Sequence, residues 1–255
     1  MTDASGRNTQ WDGTPPWLIA APIVLVVIAV LAYVYGIPML AGAAAARIPS
    51  SITARLEAET LAALDRQVFA PSAIPRERQQ AIDTAFRALK RPAGSKASYS
   101  LVFRKSDPLG ANAMALPAGT IVVTDGLVTL ARDDREIFGV LAHEAGHIER
   151  RHGLRGILQD SLIGVLLAVV IGDVSGLAAA ASSTLLEASY SRGLEREADA
   201  YAIEMLRANG IPLKHLADIL RRLESSAGES GLPGALRYLS THPATDERIR
   251  QLDAQ

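Results

Sequence analysis

Two histidines four positions apart enclose a glutamate in the stretch His143-Glu144-Ala145-Gly146-His147. On a helix, positions i and i+4 lie on one face, one turn apart, so both imidazoles can grip a single metal ion from the same side. Glu144 follows the first histidine and can hold a carboxylate beside a water at that metal. The H-E-x-x-H pattern carries this mechanism: two zinc ligands and a general base. It requires a helix. Over residues 133–153, Ile137, Val140, Leu141 and Ile148 recur at helical spacing, with Asp133 and Asp134 suited to the start and Gly153 to the end. Histidine is scarce, five residues in all, so an accidental match is rare.

Two histidines hold zinc poorly by themselves. A catalytic zinc usually has three protein ligands and one open position. His152 lies five positions after His147, about 140° further round a continuous helix. That takes it off the metal face and toward the helix C-terminus, where an imidazole meets the dipole. The remaining candidates are acids of a second helix, 187–209, which Gly210 closes. Glu195 and Asp199 are spaced i and i+4, so both can face the metal helix. Glu197 points about 160° away from Asp199 and reads as solvated. Residue types and spacing leave the third ligand as one of Glu195, Glu197 and Asp199.

The elements that must position these groups are predominantly helical. The chain has 255 residues, 49% of them hydrophobic, and a formal net charge of −1. This fits one ordinary domain plus an appendage. Near-neutral charge and few aromatic residues give no nucleic-acid signal. The absence of cysteine excludes disulfides, thiolate metal sites and a cysteine nucleophile. Residues 1–16 are polar and read as a disordered tail. No charge occurs from Trp17 to Ala46, and Leu18–Leu31 is rich in Leu, Ile, Val and Ala, flanked by Trp17, Tyr33 and Tyr35. A membrane core needs about 20 apolar residues, so 17–40 is expected to anchor the chain in a lipid bilayer as a single pass. The run is longer than the apolar core of a signal peptide, and only Arg7 precedes it as a basic residue. Arg47 and Arg55 follow the span, and this charge bias leans toward a cytoplasmic domain.

Helices are predicted over 50–67 and 75–90. Two short strands follow, 98–103 and 120–124, the second ending at a turn near Asp125-Gly126. They would form a small sheet beside the metal helix, and an exposed edge of it could accept an extended peptide. Residues 154–186 read as two helices, buried or lying on the membrane surface, because Asp173 interrupts the apolar run. Helices over 212–225 and 235–239, a flexible loop between them and a last short helix complete a mainly α chain with a small β-sheet (α+β).

With Ser191-Arg192-x-x-Glu195-x-x-x-Asp199, His242-Pro243, and Asn112-Ala113-Met114-Ala115-Leu116-Pro117 running into Gly119–Asp125, the H-E-x-x-H stretch makes four motifs in one order. On these the chain resembles the zinc metallopeptidases of the CAAX-prenyl-protease, HtpX and BepA type, metallopeptidase family forty-eight, from roughly Leu56 to the end. The resemblance implies a zincin-like protease domain over 47–255, with one Zn2+ per chain held by His143, His147 and Glu195. It implies that Glu144 is the base and that Asp199 orients a zinc histidine. His242 would stabilise the transition state or cap the zinc. Asn112, Ala113, Met114 and Ala115 would bind the peptide backbone. The chain departs from these relatives in showing no multi-span body, no two clear spans between the zinc motifs and no C-terminal repeat domain. Prenyl-protein processing therefore fits poorly. The expectation is a membrane-anchored endopeptidase that cuts misfolded membrane or envelope proteins, with its domain on the extracytoplasmic side, as such relatives commonly have it. Two other classes stay open: a client-holding, chaperone-like protein on a protease fold, and a zinc hydrolase of non-peptide amides.

Overall fold

A computed structural model describes residues 16–171, 192–229, 242 and 246–253. Two compact units are distinguished, Met1–Leu40 and Ala41–Gln255. Helix α1 (Pro16–Leu31) and a π-helical turn at Ala32–Gly36 belong to the first, and α2 (Ile37–Ala45) runs across the boundary. Among the described residues one helix, Ala20–Ala45, is long and apolar enough to cross a membrane. Its Ile23, Leu25, Val27 and Ile28 side chains are at least half exposed, as a lipid-facing helix requires. The expected tail falls almost wholly outside the described residues.

The second unit builds the site. Helix α3 (Ser50–Gln67) comes before, and helix α4 (Arg76–Arg87) between, the first two strands of a four-stranded sheet in the order β1-β2-β4-β3. Its strands are β1 (Ala70–Pro71), β2 (Ser100–Lys105), β3 (Ala113–Ala115) and β4 (Thr120–Thr124). β2 and β4 are parallel; β3 runs antiparallel to β4 and β1 antiparallel to β2. β4 is buried along its whole length, as its Thr-Ile-Val-Val-Thr run suggests. The small apolar stretch before it supplies β3, a strand too short to show alternation. The expected turn at Asp125-Gly126 is instead the start of α5 (Asp125–Leu130), because the Thr124 hydroxyl accepts from the Leu127 amide and caps it.

Helix α6 (Asp134–Glu149) carries the His143-Glu144-x-x-His147 stretch. Asp133 caps it by accepting from the Arg135 amide at 2.8 Å, and Asp134 and Glu136 complement the dipole in its first turn. Every residue from Glu136 to Ile148 is buried. Ile137, Val140 and Leu141 face a core shared with Phe86, Phe103, Ile121, Leu216 and Leu220, while the polar face is buried because the site lies on it. The helix ends earlier than Gly153. Arg151 takes φ of 54°, a left-handed conformation that breaks the helix, and α7 (His152–Ile171) begins directly after.

Helix α8 (Arg192–Ala208) packs along α6, and α9 (Lys214–Glu229) packs on it as well. Gly210, at φ of 64°, ends the chain path of α8. The closing helix is α10 (Asp246–Asp253). The expected second apolar helix after Asp173 and the helix over 235–239 lie outside the described residues.

Candidate metal centre

The i, i+4 spacing on α6 brings the Nε2 atoms of His143 and His147 to 3.0 Å of each other. Glu195, in the first turn of α8, faces both: its Oε2 is 3.3 Å from His143 Nε2 and its Oε1 is 3.3 Å from His147 Nε2. His242 enters from the stretch before α10, with Nδ1 3.0 Å from Glu195 Oε1 and 3.3 Å from His143 Nε2. One donor atom from each of these four buried residues lies within 4.8 Å of all the others. α6 and α8 approach closely enough for this because residue 146 is glycine. A Cβ there would stand 2.8 Å from the Ala198 carbonyl oxygen and 2.9 Å from its Cα.

The arrangement fits a small divalent cation. Donors around a tetrahedral zinc with bonds of about 2.0–2.1 Å stand about 3.3–3.4 Å apart, which the distances to Glu195 match. The protonation pattern points the same way. His143 Nδ1 lies 2.9 Å from Asp199 Oδ1, and a carboxylate only accepts, so the neutral ring carries its proton on Nδ1 and turns a lone pair inward. His147 presents Nδ1 to His152 Nδ1 at 2.9 Å, and His152 presents Nε2 to Glu197 Oε2 at 3.2 Å. The outer carboxylate calls for a proton on His152 Nε2. The neutral His152 then accepts at Nδ1, and His147 too turns a lone pair inward. Two inward lone pairs and a buried carboxylate repel one another unless a cation sits among them, a metal ion or, in its place, the extra proton that His143 takes up.

Electrostatics separate the groups. Burial raises the Glu195 carboxyl, but the His242 charge and hydrogen bonds from His143, His147 and His242 hold it well below the usual range. Burial lowers His143, and its bonds to Asp199 and Glu195 reverse this and carry it up to about 9. His147 is pushed well below its ordinary value, chiefly by burial. Burial also raises the Glu144 carboxyl, against the charges of His242 and His143. Glu144 Oε2 accepts from the Ala115 amide of β3 at 3.0 Å, and its Oε1 has no hydrogen-bond donor among the described residues. That oxygen is 3.7 Å from His242 Nε2. A basic, half-satisfied carboxylate beside a cation site is suited to receive a proton.

The structure thus brings His143, Glu144, His147, Glu195, Asp199 and His242 together. Asn112, Ala113, Met114 and Ala115 form the edge of the sheet alongside. Two residues behave otherwise than spacing suggests. His152 returns to the back of His147, because the left-handed Arg151 cancels the 140° offset of a continuous helix. Glu197 bonds to His152 and, at 3.2 Å, to Arg155 rather than to solvent alone. Arg248 was not foreseen. Its guanidinium holds both oxygens of Asp199 at 2.8 Å and Glu195 Oε2 at 3.0 Å. The signal for it was charge balance, since two buried acids on one helix face call for a cation.

A model of the family described as peptidase family M48 matches residues 75–255. The mitochondrial metalloendopeptidase OMA1 of Arabidopsis thaliana is 33% identical over 142 residues, 55% of this chain and 28% of that protein. The metalloprotease YcaL of Escherichia coli (strain K12) is 31% identical over 167 residues, 62% of each. The beta-barrel assembly-enhancing protease of Yersinia pestis is 29% identical over 151 residues, 54% of this chain and 31% of that protein. The chain therefore spans between 28% and 62% of the length of these relatives.

Proposed function

Since this chain belongs to peptidase family M48, we propose that it is a membrane-anchored, zinc-dependent endopeptidase. His143, His147 and Glu195 hold the metal, and His242 stands beside the fourth position, which is left to water. The observation that carries the reading is the convergence of these four buried donors beside a fifth buried group, Glu144.

Zinc in such a centre acidifies water and polarises a carbonyl. Glu144, kept basic by burial, takes the proton from the attacking water through Oε1 and returns it to the departing amine. The new bond joins the water oxygen to the peptide carbon; the bond broken is that carbon to the amide nitrogen. His242 presents Nε2 toward Glu144 and is placed to donate to the developing oxyanion. Asp199, held by Arg248, keeps His143 in its metal-binding tautomer.

Substrate register follows from β3. Asn112 and Leu116 exchange backbone bonds with Thr124 and Thr120 of β4, so alternate residues Ala113 and Ala115 direct their backbone groups to the open edge. The Ala115 amide is taken by Glu144. An extended peptide adding to this edge would bond to the Ala113 amide and carbonyl and to the Ala115 carbonyl. Main-chain recognition of this kind gives modest sequence specificity.

The relatives include proteins named as a mitochondrial endopeptidase and as an enhancer of β-barrel assembly. With the apolar helix Ala20–Ala45, this supports quality control of misfolded membrane or envelope proteins, with the domain on the extracytoplasmic face. The test compares the wild type with Glu144→Gln on an unfolded envelope protein, after bound zinc is measured. Wild-type cleavage with a loss of about 100-fold or more in the variant is expected. Equal activity in both, or a wild type without zinc, overturns the peptidase reading; client binding without cleavage would leave a chaperone-like domain.

A further inference from the structure

We propose that His152 and Glu197 are positioning residues that fix the tautomer and orientation of His147 and thereby set the metal affinity of the centre. The inference rests on the reading of His143, His147 and Glu195 as the metal site. Three observations carry it. The His147 and His152 rings meet edge to face, with centroids 4.9 Å apart and planes at 75°, and their Nδ1 atoms are 2.9 Å apart. Such a contact holds one proton between two nitrogens, and the carboxylate on the far side of His152 assigns that proton to His147. The His152 side chain is fully buried. Lastly, the backbone meets a local cost to bring His152 there, since Arg151 adopts left-handed φ without being glycine.

A histidine packed only for volume would need neither the nitrogen-to-nitrogen contact nor the acid behind it. Here Glu197 is in turn held by Arg155 Nη1 at 3.2 Å, so the chain runs from the surface to the metal face as Arg155, Glu197, His152, His147. Every link has one donor and one acceptor. Turning His152 over, or removing it, frees His147 to protonate Nε2, and an Nε2–H cannot bind a cation.

The experiment uses the full chain in detergent, stripped with a chelator. Zinc affinity is measured by competition with a chelating indicator. The melting temperature is recorded with and without zinc, and the histidine tautomers of the zinc-free form are read from long-range 1H–15N spectra. His152→Phe keeps the ring and removes the acceptor. A zinc affinity lower by about 10–100-fold is expected, with a smaller zinc-induced rise in melting temperature and a His147 signal that has shifted toward the Nε2–H tautomer. His152→Gln, whose amide can accept from His147 and donate to Glu197, should recover most of the affinity. A folded His152→Phe with wild-type zinc affinity overturns the proposal, as does one that loses melting temperature equally with and without zinc. Should His152→Phe not fold, Glu197→Leu cuts the chain at its outer, half-exposed end; a several-fold loss of zinc affinity is expected, and none overturns the proposal. A wild type that binds no zinc is a different result, and it overturns the metal reading itself.

Discussion

The two histidines that α6 contributes to the site are backed differently. Behind His143 stands an anion, Asp199, gripped by Arg248. Behind His147 stands a neutral imidazole, and the acid, Glu197, is one residue further out and gripped by Arg155. Both acids come from α8, two positions apart, and so from different faces of it. The first flank is sealed: the side chains of Asp199 and Arg248 are 14% and 9% exposed. The second reaches the surface, with Glu197 at 43%. A charge directly behind an imidazole makes it more basic, so His143 rises to about 9. A neutral ring orients without charging, and burial leaves His147 well below its ordinary value. On the proposed reading His143 therefore exchanges a proton for the metal, and His147 is already deprotonated at neutral pH.

The harshest way to break this comparison is to remove what the flanks share. Glu195 touches both histidines, His242 and Arg248. Glu195→Ala is expected to leave no zinc on the protein after gel filtration, a larger loss than the roughly 10–100-fold that outer partners contribute. Retained equimolar zinc would mean that the two flanks do not meet at one centre.

How much of this is legible in the sequence depends on distance along the chain. His143, Glu144 and His147 are a local pattern on one helix, and helical period alone places them. Glu195 and Asp199 share a face of α8 by the same period, but which of them meets the histidines depends on how α8 lies on α6. That is set by a tertiary contact at Gly146 and Ala198, which no local pattern encodes. Resemblance supplied what spacing left open. His152 was misplaced because the 100° period was carried through Arg150 and Arg151, where the backbone leaves the helix. β3 escapes any sequence pattern, since three residues are too few for a period of two to show. The sheet's parallel pairing of β2 with β4, and the antiparallel β3 as its edge among the described residues, likewise follow from topology rather than from any single strand.

The next effect in size sharpens the difference in charge. Asp199→Asn keeps the shape and removes the anion, and zinc affinity should fall by about 10–100-fold. It should also change the proton count. In the zinc-free protein His143 is protonated below about 9, so zinc binding at pH 7 displaces one proton from it. His147, with its value depressed, adds none. Affinity should therefore rise with pH and level off above about pH 9. The stability that protonated His143 gives the zinc-free fold is present below its ordinary value of 6.5 and lost as pH rises through about 9. Titration calorimetry in buffers of different ionisation enthalpy should find close to one proton released at pH 7 in the wild type and clearly less in Asp199→Asn. Equal release in both would show that the acid behind His143 does not set its basicity.

A third change acts on the spacing of both flanks at once. Gly146→Ala places a methyl against Ala198 backbone, where the two helices must part; a destabilisation of about 1–3 kcal/mol is expected, with weaker zinc binding as Glu195 and Asp199 withdraw together. Gly139→Ala, two turns earlier on α6, meets the Leu216 side chain and backbone of α9 at 3.1 Å and 3.2 Å instead. It should cost stability and leave zinc affinity unchanged. Loss of zinc in both would reduce the effect to general unfolding.

The smallest effect separates the arginines. Arg248 makes bidentate contact with one largely buried acid, Asp199, and an ion pair with a buried one, Glu195. Such a pair is costly to break from one side, because it strands two buried carboxylates. Arg155 makes a single 3.2 Å contact to an acid that water also reaches, and exposed pairs of this kind contribute about 0–1 kcal/mol. Arg155→Met should therefore shift stability by less than about 1 kcal/mol, and zinc affinity by no more than a few-fold, since His152 alone can still direct its proton to Glu197. Raising salt should weaken the wild type's advantage over Arg155→Met and leave the advantage over Arg248→Met in place. If the two arginine variants proved equal in zinc affinity and in salt response, the contrast between a sealed flank and an open one would be wrong, and the two histidines would be electrostatically alike.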